Sequence, residues 1–318
     1  MTKQARGYKG QVLIDFETDF GVAPAAPLGR LVPYNTIDGG ATRSLNAAAT
    51  IRGNRHAAKP FSGNTSLSRT VVVPLDTRNI GLWLMAMFGE PVTTGTGPYV
   101  HVFKPGDTQP SMVTEIALPD VGVYLRGAGV KVASLDITVG GDGEQTVSFG
   151  LVGKDEVKQA ATYDATPASM AFDRLETFAA SIKEGGVAMP SRIAELSMRM
   201  DMGLDTTGYT IGDAGTLGDI PEGIMNLSGS LTALFKDTSL MDKAEAGTET
   251  SLEVQFTSGG ASLSIKLPEV IYNRAAPAMN GPQGVRERYD YQAYHDDAAD
   301  ASSVIITLTN DVASYSLA

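Results

Sequence analysis

The sequence contains no cysteine, and tryptophan and histidine are scarce, with one and three residues among 318. Without cysteine the chain can form no disulfide, no thiolate nucleophile and no cysteine-based zinc site. This absence is typical of a reducing compartment, or of a particle that is stabilised by assembly. No apolar run approaches the ~20 residues that a membrane-spanning helix needs. The N-terminal stretch carries charges and lacks an apolar core, so we expect neither a signal peptide nor a membrane partner.

Catalytic and metal-binding motifs are also missing. The three histidines do not share the spacing of metal ligands, and we interpret them as surface or packing residues. The segment GDAGTLGD lacks the Gly-Lys-Ser/Thr of a phosphate-binding loop, and no G-x-S-x-G nucleophile motif is present. The acidic cluster Asp296, Asp297 and Asp300 lacks the EF-hand pattern, which favours a solvated turn over a cation site. We therefore expect a protein that is not an enzyme and binds no cofactor.

Charge is distributed unevenly along the chain. The net charge is −11, and residues 161–318 hold 22 acidic and 10 basic residues, whereas residues 1–160 hold 14 and 15. An acidic protein binds nucleic acid poorly, because affinity for phosphate comes from lysine and arginine. The charge therefore argues against a nucleic-acid-binding protein, and it says little about the fold.

Most of the sequence alternates between apolar and polar residues with a period of two, which predicts half-buried strands. The clearest strand is VKVASLDITV, where a slip at Ala133 and Ser134 predicts a β-bulge. The following GGDGE predicts a hairpin turn. Further strands are predicted in YVHVFKP, MVTEIALP, QTVSFGLVG, ELSMRMDM, SLEVQF, ASLSIKLPEV, VRERYDYQAY and SSVIITLTN. The sequence therefore predicts a mainly β fold.

Only two helices are predicted. The first covers 77–88, with Asp76 or Thr77 as its N-terminal cap and one buried apolar stripe. The second covers 237–247, is shorter and less apolar, and ends at its glycine. Both begin with Asp-Thr and end with glycine, so one chain contains the same small helix twice.

This second helix belongs to a longer repeat. A strand containing Ser-Gly precedes each helix, in FSGNTSLSRTVVV and LSGSLTAL, and Leu-Pro-acid follows each, at 118–120 and 267–269. Four matches in the same order predict a tandem duplication. We expect two domains, residues 1–160 and 161–318, each with one short helix. The segment 158–170 is rich in alanine and threonine and is predicted to link them.

Two long polar segments, 37–60 and 203–223, interrupt the strand pattern just before the Ser-Gly strand of each half. Loops longer than ~12–15 residues without secondary structure are usually functional or disordered. The first segment holds the main basic cluster and no aromatic residue, so we expect it to meet acidic surface on a neighbouring copy rather than nucleic acid. The residues expected to form contacts between subunits are Arg43, Arg52, Arg55, Lys59, Asp205, Tyr209, Asp213 and Asp219.

In the order and spacing of its segments the sequence resembles the tail tube proteins of long-tailed, siphovirus-type bacteriophages, in the variant of about this length. The resemblance covers nearly the whole chain. It rests on IDFETDFG, PLDTRNIGLWLMAMFG, YVHVFKPGDTQPSMVTEIALPD, GAGVKVASLDITV, VSFGLVGK, IKEGG, LSGSLTALFKD, SIKLPEV and VIITLTN. It implies two tandem tube domains, each a β-sandwich or barrel with one short flanking α-helix. Such domains form rings, the rings stack, and double-stranded DNA travels down the lumen.

The resemblance also implies partners and a location. If each chain carries two tube domains, a six-domain ring needs three chains, and a ring of six chains is the alternative. The other expected partners are the tape measure protein and phage DNA in the lumen, and the tail terminator and tail tip proteins. The expected location is the tail of the virion, after assembly in the cytoplasm of the host bacterium. We expect a net negative lumen, with most of its charge from the second half.

Two other functions remain open. One is a carbohydrate- or surface-binding β-sandwich, such as an adhesin module, and the other is an enzyme on a β scaffold. The first would need exposed aromatic residues gathered in a groove, but aromatic residues make up only 7% of the chain and are spread out. Electron microscopy distinguishes these alternatives from a tube protein, because only the tube protein forms discs or tubes with a central hole.

Overall fold

The computed structural model describes residues 4–176, 180–279, 281–296 and 299–317. Within these residues nineteen strands and two α-helices form a mainly β fold, as the sequence predicted. Strands β1 to β19 occupy Gln11–Phe16, Arg30–Val32, Thr36–Asn46, Phe61–Pro74, Val92–Thr94, Tyr99–Phe103, Met112–Leu118, Val123–Val139, Thr146–Gly153, Asp155–Gln159, Ala168–Ser169, Ala180–Glu184, Val187–Ala188, Ile193–Asp201, Asn226–Leu234, Thr250–Ser258, Ala261–Tyr272, Arg286–Tyr294 and Ile305–Asn310. Helices α1 and α2 occupy Ile80–Phe88 and Ser239–Ala246, and short 3-10 turns occupy Gly7–Lys9 and Pro119–Val121.

Eight strands form one continuous antiparallel sheet, the main sheet, which runs through both halves of the chain. Its strand order is β3-β4-β9-β8-β14-β15-β18-β17. Side chains alternate between its two faces, because successive residues of a strand point in opposite directions. In β4, for example, Leu67 and Val71 are buried while Ser68 and Thr70 are exposed. One face of the main sheet therefore packs on the core, and the other is open.

Two smaller sheets pack against the main sheet across a shared hydrophobic core. One contains β2, β1, β7, β10 and the first part of β8. The other contains β12, β16, β19 and the first part of β17. Strands β8 and β17 are long, and each passes from its small sheet into the main sheet. The result is a β-sandwich.

The bulge predicted in β8 is confirmed. Val132 pairs with Leu151, and the next pair joins Ser134 to Gly150, so Ala133 is the extra residue. A bulge increases the local twist and bends the strand. It lies near the place where β8 leaves its small sheet and enters the main sheet.

Helix α1 is buried on all sides, whereas the sequence predicted one buried stripe. The Asp76 carboxylate accepts hydrogen bonds from the backbone N–H groups of Asn79 (2.9 Å) and Ile80 (2.8 Å), so the predicted cap is confirmed. The helix begins at Ile80, three residues later than predicted. The C-terminal segment covers its outer side, and a side chain at Gly81 would overlap the ring of Tyr315. All nine residues are therefore buried.

Helix α2 lies at the surface and repeats the cap of α1. The Asp237 carboxylate accepts the backbone N–H of Ser239 at 2.9 Å. Only Leu240 and Ala244 are buried, and Gly247, with a φ of 62°, ends the helix. The predicted second helix is confirmed, and its sparse apolar face matches its shallow burial.

Strand pairing does not divide the chain at residue 160. Strand β6 comes from the first half, yet it pairs with β19 at the edge of the second small sheet. The segment after β10 also returns to the first half, where the backbone of Leu175 bonds to Leu75 (2.9 Å) and that of Thr77 to Asp173 (2.8 Å). The two halves therefore share one core.

His101, on β6, is buried where the two halves meet. Its Nδ1 lies 2.8 Å from the Thr93 hydroxyl, and its Nε2 lies 2.9 Å from the Val312 carbonyl oxygen and 3.1 Å from Asn310 Oδ1. Two acceptors around Nε2 indicate that Nε2 carries the proton of a neutral ring. Burial lowers the pKa of His101.

We expect His101 to make the protein less stable in mild acid. In the unfolded chain its pKa is about 6.5, so below that pH the unfolded state binds a proton that the folded state does not, and stability falls as pH falls. His101→Gln removes this titration. The loss of melting temperature between pH 7.5 and 5.5, followed by circular dichroism, should be smaller in His101→Gln than in the wild type. An equal loss in both proteins would contradict this assignment.

Candidate assembly surfaces

The open face of the main sheet is lined mostly by short polar side chains. Outside the far end of the β3–β4 hairpin, the uncharged polar residues on this face are Thr36, Thr42, Ser66, Ser68, Thr70, Ser134, Thr138, Thr146, Ser148, Ser197, Asn226, Ser228, Ser230, Thr232 and Gln292. The larger apolar side chains on this face are Val72, Val152, Leu234 and Ile271, with the aromatic Tyr294 near the end of β18. Such a surface offers hydroxyl groups to water and little apolar area to a ligand.

Charged side chains on the open face are few and partly paired. The acidic residues that reach the surface here are Asp38, Asp136, Glu195, Asp201 and Asp290, and the basic residues are Arg199, Arg286 and Arg288; Lys131, opposite Val152 on the same face, is buried. Arg199 lies 2.9 Å from the Asp136 carboxylate, and Arg288 lies 3.6 Å from that of Asp290. Acidic residues thus outnumber basic ones, and their excess comes from the first half.

A two-stranded arm, residues 43–66, extends beyond the main sheet. Strand β9 pairs with β4 only from Leu67 onward, so among the described strands the arm has no neighbour beyond its own hairpin. Ile51 and Phe61 are 95% and 57% exposed at its far end. The expected loop 37–60 is therefore corrected, because 37–46 forms β3. Strand β3 was not predicted because its residues are mostly small or polar and do not alternate between apolar and polar.

The basic candidates of the arm fall into two groups. Arg43 bonds within the chain, to the Thr65 hydroxyl at 2.9 Å and to the Ala214 carbonyl oxygen at 3.3 Å. Arg52 bonds to the Ala57 carbonyl oxygen inside its own loop at 2.8 Å. Arg55 and Lys59 are exposed and form no hydrogen bond or ion pair with the described residues. Their guanidinium and ammonium groups are available to another molecule.

The second predicted contact segment, 203–223, lies against the arm. The Tyr209 hydroxyl donates to the Thr65 carbonyl oxygen at 3.1 Å, and the Thr65 N–H donates to the carbonyl oxygen of Gly215 at 2.8 Å. Leu217 and Ile220 are buried. The structure therefore brings the two predicted segments together within one chain, a contact between residues about 150 positions apart that sequence patterning could not reveal.

The acidic candidates of this segment mainly hold its own turns. Asp205 accepts the backbone N–H of Thr207, Asp213 accepts the Thr210 hydroxyl, and Asp219 accepts the N–H of Ile220. These bonds leave carboxylate oxygen atoms at the surface. Deleting 205–220 would also remove the buried Leu217 and Ile220, so the deletion would disturb the fold as well as any contact.

Lys131 anchors the end of this segment, a contact that sequence analysis missed. Its buried ammonium group donates to the Ile220 carbonyl oxygen and to Glu222 Oε1, both at 2.8 Å. Glu222 also accepts the backbone N–H of Gln109 at 2.7 Å. The apolar surroundings of Lys131 in β8 gave no sign of a charged partner.

We expect Lys131→Met to loosen the segment 203–223. Hydrogen bonds to charged groups contribute about 1.5–3 kcal/mol each, and methionine fills the space without donating a proton. Chymotrypsin should then cleave after Tyr209 several times faster than in the wild type. Lys158→Met, at an exposed position of β10, is the control. Equal cleavage of all three proteins would show that Lys131 does not hold the segment.

The described residues gather no group of three or more histidine or acidic side chains that could hold a metal ion. In the predicted acidic turn, Asp300 binds Lys266 at 2.6 Å and the Asp296 N–H donates to Glu269 at 2.8 Å, while Asp297 lies outside the described residues. No helix in the described ranges has the length and apolar character to cross a membrane. The open face, the outer edges of the main sheet and the arm are exposed surfaces of the described structure.

Among known protein families, the one described as phage tail tube protein matches residues 7–293 of the chain. The match includes the main sheet, both helices and the arm. A search of curated proteins found no match.

Proposed function

The chain belongs to the phage tail tube protein family, so it is a structural protein of the phage tail, and we propose that its copies form rings that stack into a conduit for double-stranded DNA. The observation that carries the proposal is the main sheet, with an open polar face and, among the described residues, an outer edge at each end that no further strand covers. Sheets with free edges are prone to pair with other chains. A ring that joins such sheets edge to edge leaves no edge free and turns one face toward a central lumen.

The proposal is tested by negative-stain microscopy of the purified full chain. Discs or tubes with a central hole, lined by protein of uniform thickness, are the expected result. Dispersed particles at all protein and salt concentrations would contradict the ring and would favour a surface-binding β-sandwich.

We also propose that the chain is a tandem duplication. The strand pairings that support it occur twice: β4–β9 matches β15–β18, β8–β10 matches β17–β19, and β1–β7 matches β12–β16. These pairings make β7 the equivalent of β16. The Leu-Pro-acid motif, however, lies at the end of β7 in the first half and within β17 in the second. This sequence match therefore links strands that are not equivalent. The other parts of the repeat, including the two caps, fall on equivalent elements.

A duplicated chain favours a ring of three copies over a ring of six. Each copy supplies two equivalent sets of four strands, so three copies give six sets around the lumen. Copies of one chain that meet through unlike edges can close into a ring when the rotation allows. Counting the subunits of one ring in a microscope reconstruction decides between three and six.

The open face suits a lumen through which DNA slides. Each lysine or arginine that faces the pore would add a phosphate contact that holds DNA. On this face acidic residues outnumber basic ones, and Arg199 and Arg288 already have carboxylate partners. The expectation that the second half supplies most of the negative charge is not supported, because Asp38 and Asp136 of the first half account for the excess.

We further propose that the arm connects one ring to the next. Its exposed apolar residues and its free cations, Arg55 and Lys59, suit a contact with acidic surface on a second copy. Tail terminator and tail tip proteins would then meet the end rings, and the tape measure protein and DNA would occupy the lumen. The assembled tube belongs to the virion tail and would be built in the host cytoplasm.

A further inference from the structure

The two free edges of the main sheet lie in β3 and in the segment that follows β17. Backbone pairing of β3 is confined to β4 among the described residues. The N–H groups of Gly39 and Ala41 instead donate to the carboxylates of Asp38 (2.9 Å) and Glu156 (3.4 Å). At the other end, the described backbone of segment 274–279 pairs with β18 at the single bridge Ala278–Arg286. Both edges therefore have backbone groups that could pair with another strand.

The contact between the two halves of one chain provides a template for filling these edges. Residues 134–139 of β8 pair antiparallel with residues 196–201 of β14, with Val139 opposite Leu196. Both side chains of this pair are buried, at 3% and 0% exposure. The first half thus ends in a strand that receives the first main-sheet strand of the second half.

The segment 274–279 is the counterpart of 134–139 in register as well as in position. In the first half, pairing passes from Val132–Leu151 across the bulge to Ile137–Val147. In the second half it passes from Tyr272–Tyr291 to the bridge Ala278–Arg286, with the same shift of one residue. A spacing of 140 residues relates Val132–Leu151 to Tyr272–Tyr291, and the register of Ile137–Val147, continued by one residue, becomes that of Ala278–Arg286. The second half therefore presents the same receiving edge as the first half.

Strand β3 is in turn the counterpart of β14, because both pair with the next main-sheet strand of their half in the same way. Leu196 faces Leu231 in β15, and Ile37 faces Val71 in β4. Ile37 is only half-buried, although Leu196 is fully buried. Met279, the counterpart of Val139, is 81% exposed. The two outer edges of the main sheet thus expose Ile37 and Met279. These residues are the counterparts of Leu196 and Val139, which are buried against each other at the internal contact.

We propose that residues 274–279 of one copy pair antiparallel with residues 37–42 of the next copy, with Met279 opposite Ile37 and Ala278 opposite Asp38. This assignment rests on the proposed ring and names the strands that close it. Gly39 would lie opposite Pro277, which has no N–H, so that pair forms one bond instead of two.

Charge on the open face agrees with this register. Asp38 would face Ala278, a small residue that is paired on its other side with Arg286. The long arginine side chain can reach across alanine toward the carboxylate of the next copy. At the internal contact the opposed residues Arg199 and Asp136 also form an ion pair between strands, two residues further along than the equivalents of Asp38 and Ala278, which are Ser197 and Thr138.

Cysteine cross-linking tests the register in a chain that has no cysteine of its own. Residues directly opposite in an antiparallel pair have Cα atoms ~4.5–5.5 Å apart, within the range of disulfides. Assembled Asp38→Cys/Ala278→Cys, when oxidised, should give bands of two and three chains on a non-reducing gel, with at least half of the protein linked. Thr42→Cys/Arg274→Cys lies in the same register and should link equally.

Two controls make the result specific. Asp38→Cys/Ala276→Cys shifts the pair by two residues on the same face, to ~7–8 Å, and should link at least tenfold less. Thr138→Cys/Ser197→Cys should link within one chain whether or not rings form, since these residues are opposite in the monomer.

Microscopy of the same samples separates the two proposals. The strand assignment would be overturned if rings form but neither Asp38→Cys/Ala278→Cys nor Thr42→Cys/Arg274→Cys cross-links. It would also be overturned if the control Asp38→Cys/Ala276→Cys cross-links equally. Either result would leave the proposed ring intact. Absence of rings in the wild type and in the reduced variants would overturn both. Cross-linked bands that continue to six chains would keep the strand pairing and replace the three-copy ring.

Discussion

Replacement of both Ile51 and Phe61 by aspartate is expected to give a folded monomer that no longer assembles into tubes. Both side chains lie at the far end of the arm, where they are 95% and 57% exposed in one chain. Burial of a large apolar side chain contributes about 1.5–3 kcal/mol, and ~1.4 kcal/mol changes an equilibrium tenfold. The protein concentration at which tubes form should therefore rise about 100-fold or more. Buried carboxylates without partners would add to the effect.

Sedimentation and negative-stain microscopy measure this change, and circular dichroism checks that the monomer keeps its melting temperature. The matched control is Val92→Asp/Val187→Asp, which alters two valines that are 70% and 65% exposed outside the arm. The control should assemble like the wild type. Tubes from the arm variant at the wild-type concentration would show that the arm does not connect rings.

Trp83→Ala is expected to lower the free energy of unfolding by about 3–5 kcal/mol, the range for removal of a buried aromatic side chain. Trp83 is 1% exposed in α1 and stacks on Phe149 of β9, with ring centroids 5.0 Å apart. Its indole N–H has no hydrogen-bond partner in the described structure. The loss is therefore one of packing, and no polar group is left behind.

Guanidinium unfolding followed by circular dichroism measures this loss, since the variant has no tryptophan for fluorescence. Trp83→Phe keeps a ring over Phe149 and should lose less than half as much stability. Met241→Ala changes a half-buried residue of the shallow helix α2 and should cost about 1 kcal/mol or less. If Trp83→Ala unfolds at the wild-type midpoint, α1 does not support the core as its burial indicates.

The acid sensitivity expected from His101 and the loosening expected from Lys131→Met concern single buried groups, and both are smaller effects. They differ in what sequence could reveal. A lone histidine in a strand is most often a packing residue, and His101 is one. Lys131 lies among apolar residues, so its role in holding a segment 90 residues away could be recognised only from the folded chain.

Local pattern determined the secondary structure. Alternation along VKVASLDITV placed β8, the slip at Ala133 placed its bulge, and the caps Asp76 and Asp237 placed both helices, because these signals depend on neighbours a few residues apart. The same signals failed for β3, whose glycine, alanine, serine and threonine residues pack on one side only. They also underestimated the burial of α1, since covering by Tyr315 comes from the far end of the chain.

By itself the sequence determined the mainly β class, the two helices and the absence of cysteine chemistry. Only the tertiary structure decided how strands far apart in sequence pair. It joined β8 to β14, placed β6 beside β19 and laid segment 203–223 against the arm. Pairing register depends on where two distant strands meet, and a change of one residue turns every side chain to the opposite face. That information lies in contacts between the halves, and no local pattern contains it.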